Sequence, residues 1–247
     1  MIKYDYDLAT LLRPEFAQLL TDGVIHTIGL ALASGALSFV LGAGLAMLRQ
    51  SHFMPVRVVS NGIALVIRNV PALFWIMFFY FAFPELLPAS LGTYLHEWPG
   101  YVFVAGVLGL AADNSAYLSD ILRNGMINVS KGQREAAASC GLSRWQECVW
   151  ILCPQSLRAM MPAIGNRMVH NFKNTSLCVA IALPELTWAT QQIESITFKG
   201  LEVTVAATFI YATGSLLISL CMSRVYACRR ADDRCPETPK VLAHVAR

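Results

Sequence analysis

Residues Val24 to Leu48 run for twenty-five positions without one side chain ionised at neutral pH. A helix needs about 20 apolar residues to cross the hydrocarbon of a bilayer, so this run is long enough to span one. The composition points the same way. Charged residues make up 14% of the 247 positions and hydrophobic ones 55%, with a mean hydropathy of +0.50; a typical soluble domain carries about 25% charge. The residues ahead of the run include Asp5, Asp7, Glu15 and Asp22, which is unlike the basic start of a cleaved signal peptide. The run therefore reads as a retained span of an all-α integral membrane protein.

Further spans follow. Val58 to Phe83 is apolar apart from the interruption Arg68-Asn69-Val70-Pro71. Tyr101 to about Leu118 encloses Asp113, and Val203 to Val225 is free of charge until Arg224. The cations divide unevenly. Arg49 and Arg57 follow the first span, and Arg123, Lys131, Arg134, Arg144 and Arg158 follow the third. Arg229, Arg230, Arg234, Lys240 and Arg247 close the chain, whereas Pro84 to Gly100 has no lysine or arginine. The positive-inside bias then puts the N-terminus outside and the C-terminus inside. Parity requires one more crossing between Arg158 and Val203, best placed at Ala159 to Leu183 although it holds Arg167 and Lys173. The expectation is a bundle of five transmembrane helices: a periplasmic segment 1–23, a membrane domain 24–225 and a cytoplasmic tail 226–247.

The cytoplasmic segment at about 130–156 differs in character. Glu135 to Cys140 favours helix, Gly141 ends or bends it, and Ser143 with Gln146 three residues on suits a capping box for Arg144 to Leu152. Pro154 closes the unit. Trp145, Val149 and Leu152 are spaced to share one helix face. Two short helices with a glycine joint make a compact knob, suited to a partner protein more than to the membrane surface. Polar groups at membrane depth form three clusters: Arg68 to Pro71, Asp113 to Ser115, and Lys173 to Ser176. Ionisable side chains there are costly and usually functional. Asp113 and Asn114 suit the ammonium of a zwitterion, and Arg68 or a freed backbone N–H its carboxylate, with Asp113 free to favour a cationic substrate or to pair with Arg68. The seven cysteines show no CxxC spacing, no metal-site pattern is present, and no catalytic string such as HExxH, a nucleophile elbow or Walker A occurs.

Lys131-Gly132-Gln133-Arg134-Glu135-Ala136-Ala137, Gly141-Leu142-Ser143 and Leu152-Cys153-Pro154, taken together, resemble the EAA loop of ATP-binding cassette (ABC) importer permeases. The polar amino acid subfamily is the nearest likeness. Arg68-Asn69-Val70-Pro71-Ala72-Leu73, Asn114-Ser115-Ala116-Tyr117, Lys173-Asn174-Thr175-Ser176-Leu177 and Pro184-Glu185-Leu186-Thr187 resemble further motifs of that family, in the same order. Asp113 stands where a small or aliphatic residue is more familiar. The resemblance implies a multi-pass permease of the bacterial inner membrane, not an enzyme and without cofactor or metal. It implies two ATPase subunits that bind the ATP, a second permease subunit of the same or a homologous kind, and a periplasmic amino acid binding protein, with no nucleic acid. Coupling to the ATPase falls to Arg134, Glu135, Ala136, Ala137, Gly141, Trp145 and Pro154. The substrate pathway falls to Arg68, Asp113, Asn114, Ser115, Tyr117, Lys173, Thr175 and Ser176. An ion-driven secondary carrier and a non-transporting membrane scaffold are the alternatives.

Overall fold

The structure, a computed structural model, describes residues 13–232. Asp5, Asp7, Arg234, Cys235, Lys240 and Arg247, and with them most of the expected N-terminal segment and C-terminal tail, lie outside the described residues. What is described is helical throughout, with no strand.

Helix α1 spans Pro14–Leu48 and so begins ten positions ahead of the apolar run. Pro14 opens it, where the missing N–H costs nothing. Arg49 ends it, and α2 (Met54–Asn69) follows after a short turn. The expected interruption of the second span is a corner: α2 and α3 (Ala72–Met77) meet at 103°. Pro71 is its cause, since proline pushes the preceding residue out of helical conformation, and Val70 is extended. The indole N–H of Trp75 donates to the Ile67 carbonyl (3.3 Å) across the corner. Helix α3 continues as a π-helical stretch, Phe78–Ala82, and the short α4 (Ala89–Glu97) leads to α5 (Tyr101–Ile127). Trp98, just ahead of α5, is exposed. Tyr101 is buried, and its hydroxyl donates to the Phe79 carbonyl.

Helix α5 is the axis of the bundle, packed by α1, α3 and α8. Helix α3 approaches it closely at Gly109, where a Cβ would stand 2.5 Å from the Ile76 Cα. Helices α6 (Lys131–Ser139) and α7 (Arg144–Gln146) follow, and a π-helical turn, Glu147–Leu152, feeds straight into α8 (Cys153–Asn174). Pro154 therefore does not close the two-helix unit; it lies in the first turn of α8, a position proline tolerates. The 3-10 stretch Thr175–Ile181 ends at Ala182, whose φ of 54° turns the chain.

Helix α9 (Leu186–Thr197) starts at a buried cap. Glu185 Oε1 accepts from the Trp188 amide (2.8 Å) and Oε2 from the Tyr211 hydroxyl (2.7 Å). The Leu186 amide donates to Thr27 Oγ1 of α1 (3.1 Å). Helix α10 (Gly200–Asp232) packs on α8 and α9. By length and apolarity α1, α5 and α10 can each cross a bilayer, and the bent pair α2 and α3 supplies a fourth if counted as one. Helix α8, with Arg158, Arg167 and Lys173, falls short by composition yet packs among α1, α5 and α10. This multi-pass membrane bundle holds three apolar clusters, a small one around Phe16, Ile193 and Val203 and two larger ones. Leu30, Ile76, Leu110, Cys178 and Leu183 form one of the larger two, and Leu118, Leu122, Met126, Leu152 and Ile164 the other. A polar layer on α5 divides those two.

Candidate functional site

That layer is built on successive turns of α5, where Asp113, Asn114 and Tyr117 meet Arg167 of α8. The guanidinium is bound on every side. Its Nη2 donates to Asp113 Oδ2 (2.6 Å) and its Nε to Asn114 Oδ1 (2.5 Å). Its Nη1 lies 3.2 Å from His170 Nδ1, and its plane sits over the Tyr117 ring, 3.9 Å from the centroid. Asp113 and Arg167 keep only 8% and 11% of their side-chain exposure, so each charge depends on the other. The Asn114 amide carries the network into α1, donating to Ser38 Oγ (2.7 Å). A planar cation between a carboxylate, an amide oxygen and an aromatic face fixes α5 and α8 in position and in angle.

The pairing replaces the expected contact between Asp113 and Arg68. Asp113 pairs with Arg167, and Arg68 pairs instead with Asp120 (2.5 Å), which also holds the buried Arg49 (2.6 Å). Asp120 is two turns further along α5, about 10 Å from Asp113 at 1.5 Å per residue, and the corner at Pro71 keeps the end of α2 at that level. Arg49 also reaches Asn61 (2.9 Å) and Ser119 (2.7 Å), so this second network ties α1, α2 and α5 together. Ser115 is buried and donates to the Ala112 carbonyl (2.7 Å). Lys173, Thr175 and Ser176 stand where α8 tightens into the 3-10 stretch. Lys173 is exposed, Thr175 buried, and the two hydroxyls donate to the carbonyls of Phe172 and Lys173 (both 2.8 Å). Sequence reasoning missed Arg167, His170, Asp120 and Arg49 as site residues. The signal for Arg167 was present: a charged residue in a crossing demanded by parity needs an opposite charge at the same depth.

The knob has its own geometry. Helix α6 ends in a Schellman motif: the Leu142 amide donates to the Ala137 carbonyl (3.2 Å) and that of Gly141 to Ala138 (3.0 Å). Gly141 takes the left-handed φ of 73° that this motif requires. The capping box forms as the spacing predicts, with Ser143 N to Gln146 Oε1 (2.9 Å) and Gln146 N to Ser143 Oγ (3.3 Å). Glu135, Ala136, Gly141 and Trp145 are exposed, and Pro154 is exposed at the start of α8. Arg134 and Ala137 turn inward. Ala137 is buried, and Arg134 donates to the Met126 carbonyl in the last turn of α5 (2.7 Å) and lies 3.8 Å from Glu147. The expected shared face of Trp145, Val149 and Leu152 is absent, because the π turn breaks the 3.6-residue period. Trp145 is 66% exposed and Trp150 62%, while Leu152 is buried. Among the described residues no group of His, Cys, Asp or Glu is placed to hold a metal.

A multi-pass helical bundle with charges paired at membrane depth and an exposed knob between two of its helices has the make-up of a transporter subunit. The chain matches, over residues 24–228, the family of binding-protein-dependent transport system inner membrane components, and it belongs to that family. It is 36% identical over 217 residues to the probable glutamine ABC transporter permease protein of Bacillus subtilis, covering 85% of this chain and 94% of that one. It is 34% identical over 171 residues to the glutamine transport system permease protein of Escherichia coli K12, covering 68% and 74%. In structure it is similar to a chain of an amino acid ABC transporter crystallised with histidines. The TM-score is 0.77 at 26% identity, with 91% of this chain and 99% of that chain covered.

Proposed function

We infer that the chain is the membrane-spanning permease subunit of an ABC importer that carries polar amino acids inward. Family membership supports this, and the observation that carries it to the residues is the exposed knob held between α5 and α8. In this reading the chain crosses the bacterial inner membrane five times, N-terminus outside and C-terminus inside, with α8 as the charged crossing. Two ATPase subunits bind and hydrolyse ATP beneath a pair of permeases, the second a copy or a homologue of this chain, and this chain hydrolyses nothing. A periplasmic binding protein delivers the substrate. Residues 130–156 dock on the ATPase through Glu135, Ala136, Gly141, Trp145 and the exposed Pro154, with Arg134 and Ala137 holding the knob to its own bundle. Along the pathway, Tyr117, Lys173 and Ser176 meet the substrate, Lys173 supplies a cation for its carboxylate, and the buried Thr175 holds the backbone behind them. Asp113 and Asn114 are committed to Arg167, and Arg68 and Ser115 to helix contacts.

Uptake of labelled glutamine, glutamate and arginine into proteoliposomes tests this, with the chain, its ATPase and its binding protein reconstituted. ATP-dependent accumulation that needs the loaded binding protein is expected. Accumulation driven by an ion gradient without ATP would make the chain a secondary carrier, and no uptake under either condition would make it a scaffold.

A further inference from the structure

The knob leaves the bundle through α5 and re-enters it through α8, and a side-chain contact ties it down at each exit. Arg134 latches α6 to the last turn of α5 through the Met126 carbonyl. On the other side the π turn runs into α8 without a break, and Gln155 Nε2 reaches Gln133 Oε1 (3.3 Å). A displacement of the knob therefore enters α5 and α8 together. Whether the two helices then slide apart or move as one depends on what joins them deeper in. Asp113 lies about 20 Å along α5 from Met126, and Arg167 about 20 Å along α8 from Cys153, at 1.5 Å per residue. The ion pair (2.6 Å) thus closes a frame with arms of equal length and the knob at its base. The joint is directional as well as strong, because Nε and Nη2 each have their own acceptor and Tyr117 holds the guanidinium plane. Through Asn114 and Ser38 it is referred to α1, outside the frame.

We propose that Arg167 is a positioning residue for transport, whose contact with Asp113 and Asn114 is the joint that turns displacement of the knob into a defined movement of α5 and α8. The proposal rests on the permease reading above. It assigns Asp113 a mechanical part in coupling, where its charge alone suggested choice of substrate.

The test measures ATPase rates of the reconstituted complex with and without loaded binding protein, alongside its thermal midpoint. Arg167→Lys keeps the charge opposite Asp113 but loses the fork and the stacked plane. Asp113→Asn with Arg167→Gln removes the joint's charges without stranding either one. Both are expected to assemble and to lose at least about fivefold of the stimulation by loaded binding protein, the scale of a site-to-site coupling energy. Stimulation at the wild-type ratio in either variant overturns the proposal. Failure of both to assemble also overturns it, since the pair would then be purely structural. If the wild-type complex itself shows no stimulation, the permease reading fails instead, which separates the two ideas.

Discussion

The polar layer and the knob spend their polar groups in opposite ways. In the layer, Asp113, Asn114, Arg167 and Ser38 satisfy one another across three helices, nearly sealed from surroundings. In the knob, backbone groups are satisfied by a Schellman turn and a capping box, while Glu135, Trp145 and Trp150 point outward. Burial makes the difference. A charge at membrane depth without a partner is prohibitive, so the layer closes on itself. A segment between spans has no such need, and two large exposed indoles on a well-capped motif are what the proposed docking on the ATPase would use. Substitutions in the layer should therefore act on stability first, and substitutions in the knob on assembly.

The largest effect is expected from Asp113→Ala, which strands the Arg167 guanidinium. The cost is about 3–5 kcal/mol, and the variant should be recovered poorly from membranes, with a lowered thermal midpoint. Asp113→Asn combined with Arg167→Gln should restore most of that loss. Next comes Gly109→Val: a Cβ there meets the Ile76 Cα at 2.5 Å, so α3 has to move off α5. Overpacking of this kind costs about 1–3 kcal/mol or more, and the same thermal scan reads it. Asp120→Ala releases both Arg49 and Arg68, but its carboxylate is 23% exposed and water screens part of the loss. About 1–2 kcal/mol is expected, shrinking as salt is raised, and a midpoint that ignores salt would argue against a charge origin. The smallest effect on stability belongs to the knob. Trp145→Ala and Trp150→Ala should shift the midpoint by no more than about 0.5 kcal/mol equivalent while weakening retention of the ATPase subunit during purification.

Much of this division was legible in the residues. Apolar runs mark α1, α5 and α10, and the charge count asks for a further crossing in the stretch that folds as α8. Ser143 with Gln146 announces the capping box that forms. Three things were not legible, for stated physical reasons. Pairing at depth depends on which turn faces which, so the partner of Asp113 could not be told from the order of arginines along the chain. The corner at Pro71 reads as an interruption, but interruption alone does not give its 103° angle or the close approach of α3 to Gly109. The face of Trp145 was misjudged because a π turn leaves no mark in hydrophobic spacing and resets the helical period.

In the proposed function the exposed knob transmits ATPase work into a bundle locked by its own charges. ATP-driven uptake by a complex carrying Glu135→Ala with Trp145→Ala tests it most directly, measured beside the thermal midpoint of the purified chain. An unchanged midpoint and uptake reduced at least about tenfold are expected, as when an interface loses its anchors. Uptake at the wild-type rate, with the ATPase still bound, would contradict it.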